Sequence, residues 1–347
     1  MKTSFFINRE SYVRQLVKLA AFTLLATPAF AQTYTVTDLG TFGPNSNGNY
    51  SVAFCINSSG QVAGESSAPS SQRSDPAFLY SNGQLVNIGT LGGDVGQPRG
   101  INTSGQIAGY STLATGSYRA FLYTGGQMTD IGTLGADYAV AYDLNDAGQV
   151  VGNSAHLGGQ DHAFLYSNGV MTDLGTLGGD TSNAYGINNL GVIAGYSYNS
   201  AGDFLGFIYQ NGTMTPLGTL GGSWSIAYAI NDRNQIAGQA YTRGNRAAHA
   251  FQLSNGQMVD LGSLGGSSSW GLAINNSGSV VGFATTRANE YHAFVSTNGG
   301  RMQDLNRLIP ANSGWVLGQA NGTNDAGQIV GYGTIRGQTH AFLLIPQ

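Results

Sequence analysis

The stretch HAFLYSNGVMTDLGTLGG, residues 162–179, decides how the whole chain is read. It returns as HAFQLSNGQMVDLGSLGG from His249 and as RAFLYTGGQMTDIGTLGA from Arg119, with looser copies elsewhere. The phenylalanine of its first triplet falls at Phe78, Phe121, Phe164, Phe207, Phe251, Phe294 and Phe342, spaced by 43, 43, 43, 44, 43 and 48 residues. The apolar residue of the DLG-like triplet falls at Leu39, Ile88, Ile131, Leu174, Leu217, Leu261 and Leu305. A third marker, IN-x-x-G-x-[VI]-[AV]-G, starts at Ile56, Ile101, Leu144, Ile187, Ile230, Ile274 and Thr323. Three markers in phase, each present seven times, make this a repeat protein with a period of ~43 residues.

One period holds four runs of β character, which from Asn183 read AYGIN, VIAGYS, GFIYQ and MTPLGTL. Aromatic and β-branched residues alternate with small ones, and Gly, Asn and Asp punctuate the joints. Runs three and four are linked by SNG, TGG or QNG, and runs one and two by NSSG, NDAG or NNLG, both tight-turn chemistry because Asn and Gly tolerate positive φ. Four short strands in such a period are the size of a propeller blade. The ends fix the closure. YTVTDLG, from Tyr34, is a fourth-type strand with nothing of its own repeat before it, and HAFLLIPQ, from His340, is a third-type strand with no fourth after it. The expected fold is all-β, a seven-bladed β-propeller spanning 32–347 and closed 1+3, the first strand completing the last blade and hiding both sheet edges.

The HAF triplet, DLGTLGG and the intervening IN-x-x-G marker resemble the bacterial extracellular HAF repeat family, over nearly all of the chain after residue 31. The resemblance implies secretion by a bacterium. It implies no activity and supplies no catalytic residues. The chain departs from the pattern at Pro76, Arg119 and Leu205, which stand where the triplet has His, and around NSGWVLGQANGTND in the seventh repeat.

Residues 1–31 read as a secretory signal peptide: Lys2, Arg9, Arg14 and Lys18 precede the apolar run LAAFTLLATPAFA, which ends in Ala29-Phe30-Ala31. That run is shorter than the about 20 residues a membrane span needs. No second hydrophobic stretch follows, so the expected destination is secreted or periplasmic, without membrane insertion. The leader carries both lysines of the sequence and a net +3 of the whole-chain −4, which leaves −7 for residues 32–347. A lysine-free, mildly acidic surface argues against nucleic acid and anionic membranes as partners. Charged residues make up only 9% of the chain, so solubility rests on amides and hydroxyls. The single cysteine, Cys55, has no disulfide partner and reads as a small core residue.

A residue type that recurs in most repeats serves packing or turn closure. His162, His249, His292 and His340 are therefore expected to tie strands to neighbouring backbone rather than to ligate a metal, since positions spread around a ring do not converge. The aspartates of the DLG copies, replaced by Asn87 and Pro216 in two, are read in the same way. GTLGG lacks the Gly-Lys-Ser/Thr and the helix of a phosphate loop. Function is sought instead where repeats differ, in the long second-to-third links and the fourth-to-first links, which share one face. Those second-to-third links hold Arg73, Arg119, Arg243, Arg246, Arg287 and Arg336, and both glutamates outside the leader, Glu65 and Glu290.

Trp224, Trp270 and Trp315 fall in consecutive fourth-to-first links, where they either stack on sugar rings or fill the outer core. Arg243, Arg246 and Arg287 join them as candidate ligand-binding residues. Asp94, Asp137 and Asp180 hold equivalent positions in three consecutive repeats, a candidate Ca²⁺ set or turn caps, with Asn45, Ser223 and Ser267 standing there in others. The expectation is a secreted, monomeric, non-catalytic propeller that binds a glycan or an extracellular protein through its variable loop face, with no cofactor beyond the possible Ca²⁺. The alternatives are an exported glycan hydrolase or lyase using Asp94, Asp137, Asp180 and Asp143 at the channel mouth, and a purely structural repeat protein.

Overall fold

The computed structural model of the protein describes residues 32–43, 50–68 and 74–347. The signal peptide read at 1–31, and with it Asn45 and Arg73, lies outside the described residues. The chain forms a seven-bladed β-propeller of four-stranded antiparallel blades. Blade 4 shows the pattern: Gly178–Ile187 is innermost, followed outward by Ile193–Asn199, Phe204–Gln210 and Thr213–Pro216. The innermost strands of blades 1 to 7 are Ser51–Ile56, Gly92–Ile101, Gly135–Leu144, Gly178–Ile187, Gly221–Ile230, Gly265–Ile274 and Trp315–Thr323. Each touches the innermost strands of both neighbours, and the last touches the first, so the ring is closed.

The closing blade is built 1+3. Tyr34–Asp38 pairs with Gln338–Pro346, from Tyr34↔Pro346 to Asp38↔Phe342, and becomes the outer strand of blade 7. One difference from the sequence reading concerns the first run: Gly178 and Gly179 open the ten-residue innermost strand of blade 4, which is longer than AYGIN. The fourth run is correspondingly shorter and ends at Pro216.

The HAF triplet is the packing unit between blades. Adjacent residues of a strand face opposite sides, so its Ala and Phe point to different neighbours. Phe207 of blade 4 packs with Ala163, Leu174 and Val151 of blade 3, and Ala163 is small because that ring must fit. The same pairing recurs at the other interfaces, as with Phe342 against Ala293 and Phe78 against Ala341, except between blades 4 and 5, where Gly206 stands in place of the Ala. All seven phenylalanines are fully buried, and each contributes about 1.5–3 kcal/mol of transfer free energy. The glycine opposite each ring has a steric reason. Gly152 pairs with Phe164, and a Cβ there would lie 1.9 Å from the Val140 carbonyl oxygen and 2.8 Å from the ring.

First-to-second and third-to-fourth turns lie on one face, here the turn face. In blade 4 the third-to-fourth turn is Asn211-Gly212, with φ of 52° and 79°, the pair of positive values that suits a twisted hairpin. The longer links lie on the opposite loop face. Among the described residues no helix is long and apolar enough to cross a membrane.

Candidate functional site

On the turn face, the asparagine of the IN marker closes a circle. Asn57 Nδ2 donates to the Asn102 carbonyl, and the relation continues through Asn145, Asn188, Asn231, Asn275 and Asn324, whose Nδ2 returns to the Asn57 carbonyl, at 2.8–3.2 Å throughout. Each Oδ1 meanwhile accepts from its own turn, as Asn188 does from Leu190 and Val192 backbone N–H groups. The seven side chains are 3–6% exposed. Outside this circle the following residues hold hands in the same direction: Asp146 Oδ1 accepts from Thr103 N–H, Asp232 Oδ1 from Asn189 N–H and Asp325 Oδ1 from Asn276 N–H. The recurrent asparagines and these carboxylates are engaged in architecture.

The recurrent histidines are engaged too, with a partner other than backbone. His162, His249, His292 and His340 each bring Nδ1 to the DLG aspartate of the adjacent outer strand, Asp173, Asp260, Asp304 and Asp38, at 2.8–2.9 Å. In blade 2 Arg119 takes the place of His and meets Asp130 at 3.5 Å. Blades 1 and 4 have lost both members, having Pro76 with Asn87 and Leu205 with Pro216. The joint loss was visible in the sequence and is the signal that the two residues are partners.

The three tryptophans are not gathered. Trp224 stacks on Phe204 at 5.1 Å and meets Tyr241 at 4.5 Å. Trp270 stacks on Phe283 at 4.4 Å in blade 6. Trp315 is only 9% exposed and belongs to the core between blades 6 and 7, because the segment with Leu305, Leu308 and Ile309 packs over it. Arg243 and Arg246 are exposed on the link beside Trp224, where Asn245 Oδ1 accepts from Ser223 N–H. Arg287 is exposed on the next blade, its stem over Gly265.

Asp94, Asp137 and Asp180 stand exposed at equivalent positions of blades 2, 3 and 4 but do not converge. Among the described residues no group of three His, Cys, Asp or Glu side chains is placed to hold a metal ion. Asp137 is instead bound by Ser117 and Arg119, which hold its carboxyl below the usual range. The expectation of a Ca²⁺ set is corrected accordingly: one member per blade around a ring leaves the carboxylates apart.

What the structure does gather is aromatic. From the channel wall, Tyr142 touches Tyr185 at 4.7 Å and Tyr185 touches Tyr228 at 5.4 Å. Tyr185 continues to Tyr196 at 5.9 Å, Tyr196 to Phe204 at 5.7 Å, Phe204 to Trp224, and Trp224 to Tyr241. Tyr198, exposed at the rim, meets both Tyr196 and Phe204. One unbroken strip of rings thus runs from the channel to the loop face across blades 3 to 5.

Its inner end belongs to a level where the repeat is not a repeat. Two residues before the IN asparagine's Ile, the seven blades present Phe54, Arg99, Tyr142, Tyr185, Tyr228, Leu272 and Asn321. They line a channel cavity of about 200 Å³. Asp143 lines it as well, standing where other blades have Cys, Gly or Ala. Its two oxygens accept from Leu144 and Ile187 N–H groups, yet enclosure by protein pushes its carboxyl up to about 7. The Arg99 guanidinium lies over the Phe54 ring at 4.6 Å and donates to Gln97 Oε1. Tyr142, Tyr185 and Tyr228 are neutral phenols, burial pushing each hydroxyl up, Tyr228 to about 12. Of this set only Asp143 was singled out from sequence; tabulating the seven equivalent positions would have found the others.

A family model described as a protein of unknown function (DUF3466) matches residues 179–341, and no curated protein matches the sequence. Among solved structures, the chain is similar to the β-propeller domain of the Trilobed protease from Pyrococcus furiosus, with a TM-score of 0.56 at 9% identity, covering 85% of this chain and 95% of that one. That propeller has an open velcro topology, unlike the 1+3 closure here. A puromycin-hydrolyzing peptidase of Mycobacterium tuberculosis gives 0.56 at 11% identity over 86% of this chain. An acylaminoacyl peptidase of Pyrococcus horikoshii gives 0.55 at 11% over 89%. The chain spans about half the length of these two peptidases, 52% and 53%. The chain is similar to DUF3466 over blades 4 to 7 and shares the β-propeller fold with these domains.

Proposed function

We propose that the protein is an exported, non-catalytic propeller of the HAF repeat kind that binds a glycan through its loop face. The observation that carries this reading is the aromatic strip ending at Tyr198, Phe204, Trp224 and Tyr241. Half-exposed rings on the loop face offer flat apolar faces with polar edges, the combination that suits a pyranose ring. Exposed Arg243 and Arg246 flank the strip and would meet acidic substituents or hydroxyls. The leader at 1–31 would deliver the protein to the periplasm or beyond, as a monomer. A non-catalytic role is favoured because Asp137 is already bound by Ser117 and Arg119 and stands exposed, whereas glycoside cleavage needs one carboxyl of a pair free to act as acid.

The test is a broad glycan array with purified protein, repeated with Trp224→Ala and Tyr198→Ala. Each variant is expected to lose at least about tenfold in affinity, ~1.4 kcal/mol, while melting close to the wild type. Calcium chelation is expected to leave binding unchanged. Affinity unaltered by both substitutions would remove the strip from the site, and silence across the array would put an extracellular protein partner ahead.

A further inference from the structure

The channel cavity has a chemical bias beyond its aromatic wall. Among the described residues, the hydroxyls of Tyr142, Tyr185 and Tyr228 have no protein hydrogen-bond partner. Arg99 Nε is buried without one, and no carboxylate lies within ion-pair distance of that guanidinium. Glu65 balances the guanidinium only at one remove, through Gln97, which accepts from Arg99 and donates to Glu65, and phenols kept neutral by burial can donate. Four donors that lack protein acceptors therefore line one cavity. Its acceptor inventory is small: the Asn321 amide is used by Ala53 O and Gln319 Nε2, and both Asp143 oxygens accept backbone N–H groups.

We infer that the channel is a second binding site, for a single sugar acid of the hexuronic type, whose carboxylate meets Arg99 and whose ring lies against Tyr185 and Tyr228. The inference rests on the glycan reading and names the residue of the glycan that enters the channel. A carboxylate supplies a direct ion-pair partner, where Glu65 reaches the guanidinium only through Gln97. The ring oxygen and hydroxyls supply acceptors for the phenols. The volume, about 200 Å³, is below the range of ~300–1,000 Å³ typical of drug-sized ligands, which limits the guest to one sugar. Asp143 does not oppose an anion below neutral pH, since its carboxyl is held largely protonated there.

The experiment is calorimetric titration of the purified protein at pH 6 with galacturonate and glucuronate, and with galactose and glucose as uncharged counterparts. The acids are expected to bind at least about tenfold more tightly than the neutral sugars. Arg99→Gln is expected to abolish that preference, and Trp224→Ala to leave it intact. Equal affinity for acid and neutral sugars, no binding of either acid, or an acid preference unchanged in Arg99→Gln would each overturn the inference. Should Arg99→Gln fail to fold, the wild-type comparison of acid with neutral sugar decides. Loss of array binding in Trp224→Ala without change in the acid titration separates the loop-face reading from this one.

Discussion

Asn188→Ala cuts one link of the turn-face circle, and the structure gives its cost. Asn188 is 3% exposed and makes four hydrogen bonds: Nδ2 to the Asn231 carbonyl at 3.0 Å and to Asn234 Oδ1 at 2.8 Å, and Oδ1 from Leu190 N–H at 3.1 Å and Val192 N–H at 2.9 Å. These losses are unequal. Asn234 and Leu190 are exposed and regain water. The Asn231 carbonyl keeps Asn234 N–H as a partner. Val192 is fully buried and its N–H is orphaned. One orphaned donor costs about 1–3 kcal/mol and one lost bond about 0.5–1.5, so roughly 2–4 kcal/mol in total. Asn188→Asp separates the two roles, since it keeps the turn acceptor but faces a second oxygen toward Asn231 O. Its carboxyl pKa would be raised on folding, so the variant is most stable at low pH and loses stability as pH rises through that value. Urea unfolding of both variants at pH 5 and pH 8 checks this. Asn188→Ala within about 0.5 kcal/mol of wild type, the range of an inert surface change, or an Asn188→Asp penalty independent of pH, would refute the clasp.

Three further outcomes are expected. Asp143, raised to about 7, binds its proton more tightly folded than unfolded, so stability falls as pH rises from about 4 to about 7, by at most ~4 kcal/mol and less because the carboxyl faces the channel; urea midpoints across that window should lose the slope in Asp143→Ala. Leu205→His with Pro216→Asp should install the missing pair in blade 4, a double-mutant cycle giving about 0.5–1 kcal/mol of favourable coupling for a pair as exposed as the others. Cys55 is free and buried, its thiol pushed up by burial, so thiol reagents should label the native protein no faster than it unfolds in urea.

The fold was legible because the constraint that shapes it repeats: a phenylalanine between every two blades must recur at a fixed period. The 1+3 closure was legible because Tyr34–Asp38 carries the DLG marker without a blade of its own. The circle of asparagines was not, since Asn in a tight turn is explained by its own Oδ1, and the reach of Nδ2 into the next blade depends on the curvature of the ring. The tryptophans part company for a related reason. They share a link in sequence, but Trp224 is the fourth residue of its innermost strand, Trp270 the sixth and Trp315 the first. Depth along a strand, rather than proximity in the chain, sets what a side chain touches.

Where the seven blades agree, the shared residues are used up by the ring itself: Phe between blades, Asn around the mouth, His and Asp between outer strands. A symmetric ring of such contacts presents the same surface to every direction and selects no ligand. Selectivity has to come from positions where the frame stays constant and the side chain does not. The level of Arg99 is the clearest of these, because the residues on either side of it in each blade keep the frame while it runs from Phe to Arg, Tyr, Leu and Asn. Its asymmetry is also ordered: the charged groups Arg99 and Asp143 come from blades 2 and 3, the phenols from blades 3 to 5, and the loop-face strip continues from those same blades. Tyr185 belongs to both, touching Tyr142 and Tyr228 in the channel and Tyr196 on the way to the rim. The channel wall and the loop-face strip are therefore continuous through one side chain, Tyr185, although each is lined by residues of its own.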